Sequence, residues 1–83
     1  MEEKVFEILK DIQPVYDFEE GADFVEMGYL DSFDVVTLVG ELEETFSILI
    51  SALDIVPENF SSVKNICALI KKSKKVPITE GMA

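Results

Sequence analysis

The apolar residues between positions 32 and 46 constrain the fold of this chain more than any other feature. They recur three or four residues apart, which is the repeat of one face of an α-helix. The members of this stripe are Val35, Leu38, Val39, Leu42 and Phe46. Thr37, Glu41 and Glu44 fall on another face, which we expect to be exposed. Because a helix with a continuous apolar stripe must bury it against other elements, residues 32–46 predict a helix packed in a core.

Two further stripes predict the helices that pack against the first. In residues 2–12 the apolar positions are Val5, Ile8, Leu9 and Ile12, and Pro14 marks the far boundary. In residues 62–74 they are Val63, Ile66, Cys67 and Ile70, with Ser61 or Ser62 as the cap. Cys67 lies within its stripe, so it is predicted to be a core residue and not a nucleophile. Pro57 indicates the start of a further, short helical turn.

The predicted fold class is all-α. We expect a bundle of three main helices plus a short third helix, with a long loop between helices 1 and 2. The loop spans residues 13–31, and its apolar residues are expected to pin it across the core: Phe18, Phe24, Val25, Met27 and Leu30. Residues 47–61 are less regular, and their apolar residues are expected to plug the bundle: Ile48, Ile50, Leu53, Ile55 and Phe60. A short strand at Ile48–Ile50 is the alternative, although no partner strand is visible.

The length of 83 residues suits one domain. We expect that domain to span residues 1–75, with residues 76–83 forming a flexible C-terminal tail. The N-terminus has no secretion signal, and no run approaches the roughly 20 apolar residues that a membrane span needs. A single unpaired cysteine suits a reducing compartment. These features predict a cytoplasmic protein with no membrane span.

The residue types that are missing exclude most enzyme chemistry. The chain has no histidine and one cysteine, so it can form neither an internal disulfide nor a His/Cys metal cluster. The commonest general base is also absent, so no nucleophile can be paired with it. Carboxylates are plentiful, but nothing in the sequence sets one pair apart. We therefore expect no catalytic residues, no metal site and no enzyme activity.

The charge distribution indicates the kind of partner. The formal net charge is -10, and no basic residue occurs between Lys10 and Lys64. Such an acidic field repels nucleic acid and attracts basic protein surfaces. It also favours a monomer through self-repulsion. The simpler interpretation is an acidic surface that only keeps the protein soluble.

Ser32 stands at the start of the strongest predicted helix. Serines at this place are usually caps. Here Asp31 can be the N-cap, with Asp34 three residues later in a capping-box arrangement. Leu30 and Val35 are spaced to make the hydrophobic staple. The Ser32 hydroxyl is then left pointing outward at a helix N-terminus, which stabilises an attached phosphate.

The run from Asp23 to Asp34, DFVEMGYLDSFD, resembles the attachment motif of acyl carrier proteins and peptidyl carrier domains. In that family a Gly-x-x-Asp-Ser motif opens the second helix, and its serine takes 4'-phosphopantetheine. The resemblance continues through LVGELEETF at 38–46 and DIVPENFSSV at 54–63, and covers roughly residues 3–73. It implies an acyl-carrier-like bundle and a covalent 4'-phosphopantetheine arm, derived from coenzyme A, on Ser32 beside Asp31.

By this resemblance, a phosphopantetheinyl transferase attaches the arm, whose thiol then holds an acyl or aminoacyl group as a thioester. An acyl- or aminoacyl-activating ligase or synthase with a basic docking surface loads it, as in fatty acid biosynthesis. Phe33 and Thr37 depart from the usual fatty-acid carriers, and the run from Leu30 to Phe33 is similar to D-alanyl carrier proteins of teichoic acid modification. That carrier is one alternative. The other is an acidic helical adaptor domain without a prosthetic group.

The same helix offers a docking face for partner enzymes. Phe33 and Val36 lie off the buried stripe beside Ser32, and acidic residues follow along the helix. The predicted docking residues are Phe33, Asp34, Val36, Glu41, Glu43 and Glu44. Exposed complementary charge speeds encounter and selects partners, and salt weakens it. Plain solubility is the alternative role for Glu43 and Glu44.

Reversing the charge at Glu41 and Glu44 is expected to slow arm transfer markedly at low salt, because the transferase would meet lysines in place of carboxylates. The double variant Glu41→Lys, Glu44→Lys is compared with wild type in a transfer-rate assay. Unchanged rates would remove these two residues from the docking face.

Overall fold

A computed structural model describes residues 1–18 and 22–76 of the chain. Its three α-helices are α1, Glu2–Ile12, α2, Ser32–Phe46, and α3, Val63–Lys72. Short 3-10 turns at Ala52–Asp54 and Pro57–Phe60 connect α2 to α3. The predicted all-α architecture is therefore confirmed, and the bounds of α1 and α2 agree with the prediction. The third main helix ends two residues earlier than predicted.

Local signals account for where each helix begins and ends. Glu2 and Glu3 lie in the first turn of α1, where the helix dipole favours negative charge. The Ser62 hydroxyl caps α3 by accepting a hydrogen bond from the Asn65 N–H at 3.0 Å. At the end of α2, Ser47 adopts the left-handed conformation (φ 53°) that terminates helices, and its N–H bonds to the Glu43 carbonyl.

The core lies where α1 contacts both α2 and α3. Its fully buried side chains include Val5, Leu9, Leu38, Leu42, Phe60, Ile66 and Ile70. Phe18, Phe24 and Leu30 of the long loop are also buried, so the prediction that this loop is pinned to the core is confirmed for them. Cys67 is buried as predicted. Val35, Val39 and Phe46 pack against the core but remain partly exposed.

A two-stranded ribbon replaces the predicted end of the last helix. Strand β1, Ile48–Leu49, pairs antiparallel with β2, Lys74–Lys75, so that Ile48 lies opposite Lys75. The strand that was the alternative interpretation of Ile48–Ile50 thus exists and has a partner. Helix α3 stops because Ser73 has an extended backbone, and its hydroxyl donates to the Leu69 carbonyl at 2.7 Å. Val76 continues the ribbon through its N–H, which bonds to the Ser47 carbonyl at 2.8 Å, whereas the rest of the predicted tail, 77–83, lies outside the described residues.

Three apolar residues that were predicted to face inward do not. Leu53 is 89% exposed and Met27 is 59% exposed, whereas Ile55 is 38% exposed. Leu53 lies in a three-residue turn that the Ser51 hydroxyl caps, too short to bury all its side chains. Met27 lies in a turn held by backbone N–H groups that donate to the Asp23 carboxylate. The other apolar residues of segment 47–61, namely Ile48, Ile50 and Phe60, are buried as predicted.

Truncating Leu38 tests the placement of the core. Leu38→Ala is expected to lower the free energy of unfolding by about 2–5 kcal/mol, because it leaves a cavity at a fully buried position. Leu53→Ala deletes the same atoms at an exposed position and is expected to change the free energy by less than about 0.5 kcal/mol. Urea denaturation followed by circular dichroism measures both. Equal losses would contradict the assignment of these side chains.

Candidate functional site

Ser32 is the first residue of α2, and its side chain is exposed. The capping of the helix does not involve its hydroxyl. Asp31 Oδ1 accepts a hydrogen bond from the Asp34 N–H at 2.8 Å, and Asp34 Oδ2 accepts one from the Asp31 N–H at 3.3 Å. The predicted capping box is therefore confirmed. The two carboxylates accept hydrogen bonds from the backbone, so the serine hydroxyl remains available for chemistry.

The loop before α2 is shaped by its own backbone bonds. The Phe24 carbonyl accepts hydrogen bonds from the N–H groups of Tyr29 (2.8 Å) and Leu30 (3.2 Å). Gly28 lies in the turn between Phe24 and Tyr29 and has φ at 81°, a left-handed conformation that costs a residue with a Cβ about 1–2 kcal/mol. This turn delivers Leu30 into the core and Asp31 to the helix cap.

Aromatic rings hold the rest of this loop in place. Tyr16 stacks on Tyr29 with their ring centres 4.5 Å apart, and Phe18 meets Phe24 edge to face at 4.9 Å. Phe18 also lies edge to face against Tyr29 at 5.8 Å. Such pairs add about 0.5–1.5 kcal/mol beyond the burial of their area. The Tyr16–Tyr29 stack therefore joins the start of the loop to its end, at the residue that precedes Leu30.

An apolar groove of about 520 Å³ opens beside Ser32. One wall comes from the loop, one from the first turns of α2, and one from the segment between the two 3-10 turns. The lining residues are Val25, Gly28, Leu30, Asp31, Ser32, Val35, Val36, Ile55, Val56 and Pro57. A chain attached at the serine hydroxyl can therefore lie along apolar side chains. Two of the lining residues, Leu30 and Val35, are those predicted to form the hydrophobic staple.

The predicted docking residues divide into an exposed set and a bonded set. Phe33 is 76% exposed and Val36 is 66% exposed, and Glu41 and Glu44 are also exposed on α2. Asp34 is half-buried, and its carboxylate receives hydrogen bonds. Only the exposed set presents its side chains freely to a partner.

Glu43 points back onto the protein. Its Oε2 accepts a hydrogen bond from the Ile50 N–H at 2.9 Å, and the side chain is half-buried. Glu43 therefore holds the segment that follows α2, a structural contact that sequence reasoning missed. Since Glu43 lies in α2 and Ile50 lies beyond the end of that helix, no local pattern in the sequence signals the contact.

Cys67 is the one cysteine of the chain, and its thiol is buried. Burial raises the pKa of its thiol, and the nearby Glu2 carboxylate raises it further, while the N-terminal amine and Lys71 oppose the rise. A thiol with a raised pKa is a poor nucleophile at neutral pH. Its burial in the core, and not its pKa, makes Cys67 a core residue.

The described residues contain neither a membrane-spanning helix nor a cluster of metal ligands. None of the helices within residues 1–18 and 22–76 combines the length and apolarity that crossing a membrane requires. Across the same ranges, no group of three or more Cys, Asp or Glu side chains is placed to hold a metal ion.

Comparison with known proteins decides the family. Residues 3–70 match the sequence model of a family described as the phosphopantetheine attachment site. The chain belongs to this family. It is also 29% identical over 76 residues to the D-alanyl carrier protein of Lactococcus lactis subsp. lactis (strain IL1403), covering 89% of this chain and 96% of that protein. No solved structure shows a significant similarity to the chain.

Membership in the phosphopantetheine attachment family makes this protein a carrier and not a catalyst. Its cofactor is a covalently attached 4'-phosphopantetheine. Its partners are a phosphopantetheinyl transferase and acyl-handling enzymes. An adaptor domain without a prosthetic group, one of the alternatives for the sequence, does not agree with this membership. The groove and the exposed first turn of α2 fit a carrier. A long, flexible group can be anchored at the first turn and can rest in the groove.

Removing the cap is expected to weaken the site region. Asp31→Ala should lower the free energy of unfolding by about 1 kcal/mol, because the Asp34 N–H loses its acceptor. Asp31→Ser keeps an acceptor oxygen and is expected to be within a few tenths of a kcal/mol of wild type, roughly the spread among good caps. Urea denaturation compares the two variants. If both lost the same stability, the cap would not be what Asp31 contributes.

Proposed function

We propose that the Ser32 hydroxyl is the attachment point of the 4'-phosphopantetheine arm, and that the carrier holds acyl or aminoacyl groups as thioesters on it. The observation that supports this is the geometry at the start of α2. Ser32 is exposed at the first helical residue, its neighbours Asp31 and Asp34 complete the cap without it, and the apolar groove begins at its side. The Gly-x-x-Asp-Ser motif that resembles the family's attachment motif ends on this serine.

The residues of the chain contribute position and charge. The N–H groups of the first turn and the dipole of α2 favour a phosphate on the Ser32 oxygen. Asp31 and Asp34 direct carboxylate oxygens at backbone N–H groups, which offsets their repulsion of that phosphate. Apolar walls from Val25, Val36 and Ile55 offer a surface along which the bound group can lie. When present, the arm supplies the terminal thiol that forms the thioester.

Partner recognition follows from the exposed set on α2. Phe33 and Val36 offer apolar contact next to Ser32, and Glu41 and Glu44 offer negative charge further along the helix. A transferase or a ligase with a basic surface would be steered toward this face. We place this work in the cytoplasm, where coenzyme A and activating ligases are available, and expect the carrier to act as a monomer because of its charge of -10.

A D-alanyl carrier is the second candidate for the cargo. The similarity to the Lactococcus lactis protein spans 96% of that protein, and it favours this candidate. The apolar groove beside Ser32 favours an acyl group instead, because a small polar amino acid gains little from apolar walls. We therefore propose an acyl or aminoacyl carrier, with D-alanine as one specific cargo to be tested.

Intact-mass measurement tests the attachment site. After incubation with coenzyme A and a broad-specificity transferase, wild type is expected to gain the mass of one phosphopantetheine, and Ser32→Ala none. Ser51→Ala is a matched control, since Ser51 is also an exposed serine at the start of a helical turn, and it is expected to gain the full mass. No gain by wild type with several transferases would contradict the proposal.

Loading assays separate the two cargo candidates. The arm-bearing carrier is incubated with ATP and either a D-alanine-activating ligase with D-alanine or an acyl-activating ligase with fatty acids. A thioester adduct cleaved by hydroxylamine identifies the cargo accepted. Loading with D-alanine alone would establish the D-alanyl carrier, and loading with fatty acyl groups alone would exclude it.

A further inference from the structure

A hydrogen bond joins the end of α1 to the start of α2. The side chain of Gln13, the residue that follows α1, donates from Nε2 to Asp34 Oδ2 at 2.8 Å. Both side chains are half-buried, and 21 positions separate them in the sequence. The backbone of Gln13 is itself held, because its N–H donates to the Leu9 carbonyl at 2.9 Å and its carbonyl accepts from the Tyr16 N–H at 3.3 Å. The donor is therefore presented from a fixed position.

The acceptor of this bond is the atom that completes the cap of α2. Asp34 Oδ2 also accepts from the Asp31 N–H, and the Asp34 N–H donates to Asp31 Oδ1. Ser32 lies between these two residues in the sequence. Gln13 consequently orients the carboxylate that sets the backbone on either side of Ser32.

The bond also closes the long loop at its base. The loop leaves α1 at Gln13 and reaches α2 at Asp31, and Val25, Gly28 and Leu30 within it form one wall of the groove beside Ser32. Contacts that join the two ends of a long connection raise its local stability. The Gln13–Asp34 bond and the Tyr16–Tyr29 stack tie those ends at adjacent places.

The chemistry of the donor suits a site that must stay acidic. A lysine or arginine beside Asp34 would orient the carboxylate as well, but it would also cancel the charge. The amide of Gln13 is neutral, and the sequence has no basic residue between Lys10 and Lys64. The carboxylate is thus held in place while its negative charge remains to attract a basic partner.

We propose that Gln13 is a positioning residue for arm transfer, acting through Asp34 to hold the first turn of α2 with Ser32 in reach of the transferase. This rests on the proposed function, since it assumes that Ser32 receives the arm. It separates two contributions of Asp34 that the bare sequence does not distinguish, namely its orientation, which Gln13 sets, and its charge, which Gln13 leaves intact.

Single-turnover transfer with excess transferase and saturating coenzyme A tests the proposal. The rate constant at saturation measures positioning, and the transferase concentration at half-saturation measures docking. Gln13→Ala is expected to lower the saturating rate constant by about threefold to tenfold with little change in half-saturation, because a looser first turn holds Ser32 less often in the reactive position.

Gln13→Lys separates orientation from charge. Its ammonium can still donate to Asp34 but cancels the local negative charge, so the saturating rate constant should stay near wild type while the half-saturation concentration rises. Ala68→Lys is the charge-matched control, at an exposed position on α3 and not on the proposed docking helix, and the rise should be smaller there. In an Asp34→Ala background, which has no acceptor for Gln13, Gln13→Ala should cause a smaller loss than in wild type, since the two residues act as one unit.

Several outcomes would overturn the proposal. An unchanged saturating rate constant for Gln13→Ala would do so, as would a loss seen only in half-saturation, which would make Gln13 a docking contact. Loss of the saturating rate in Gln13→Lys equal to that in Gln13→Ala would also contradict it. Urea denaturation checks that the variants are folded.

Amide hydrogen exchange tests the bond without any transferase. In the unmodified protein, the Asp31 amide should exchange faster in Gln13→Ala than in wild type, because Asp34 Oδ2 is no longer held. Unchanged exchange would overturn the positioning role, whether or not Ser32 takes the arm. Failure of the proposed function would instead appear as wild type that gains no arm while the exchange difference persists.

Discussion

The reciprocal hydrogen bonds between Asp31 and Asp34 are the contact on which the rest of the site depends. They satisfy two backbone N–H groups at the start of α2 and leave the intervening Ser32 hydroxyl out of the cap. Were Ser32 the cap instead, its oxygen would face the helix backbone and be poorly placed to accept a phosphodiester. The choice of capping residue thus leaves the serine hydroxyl free, which is what the proposed attachment of the arm at Ser32 needs.

The remaining structure keeps that first turn in a defined place. Leu38 and Leu42 anchor α2 in the core, and Leu30 is buried immediately before the cap. Gln13 and the aromatic contacts of Tyr16 and Tyr29 hold the loop that leads to it. A fixed first turn suits the proposed attachment at Ser32, because every partner of a carrier must find the same hydroxyl or the same arm. The protein contributes geometry and charge, while the chemistry belongs to the arm and to the partner enzymes.

Charge and apolar surface are combined on one helix. Phe33 and Val36 are exposed next to Ser32, and Glu41 and Glu44 extend the acidic face. In the proposed docking role, long-range attraction would bring a basic partner to this side, and short-range apolar contact would then align it. Glu43 does not share this role equally, since its carboxylate is engaged with the Ile50 N–H.

Local features of the fold could be predicted from the sequence, and non-local ones could not. The bounds of α1 and α2 follow from apolar spacing and from the Asp31–Asp34 cap, all of which lie within a few residues of one another. The ribbon between Ile48–Leu49 and Lys74–Lys75 joins segments far apart in the chain, and neither is long enough to show an alternating pattern. The Gln13–Asp34 bond and the groove wall at Ile55–Pro57 could not be predicted from the sequence either, because each brings together residues that are far apart in the chain. The exposure of Leu53 was missed because a three-residue turn has no periodicity to read.

Fragmentation mass spectrometry of the modified protein tests the central claim most directly. A proteolytic digest of carrier incubated with coenzyme A and a transferase is searched for the peptide that bears the phosphopantetheine, and the modified residue is located within it. The account predicts a phosphodiester on Ser32 and on no other serine. A phosphopantetheine located on any other residue, with Ser32 unmodified, would contradict it.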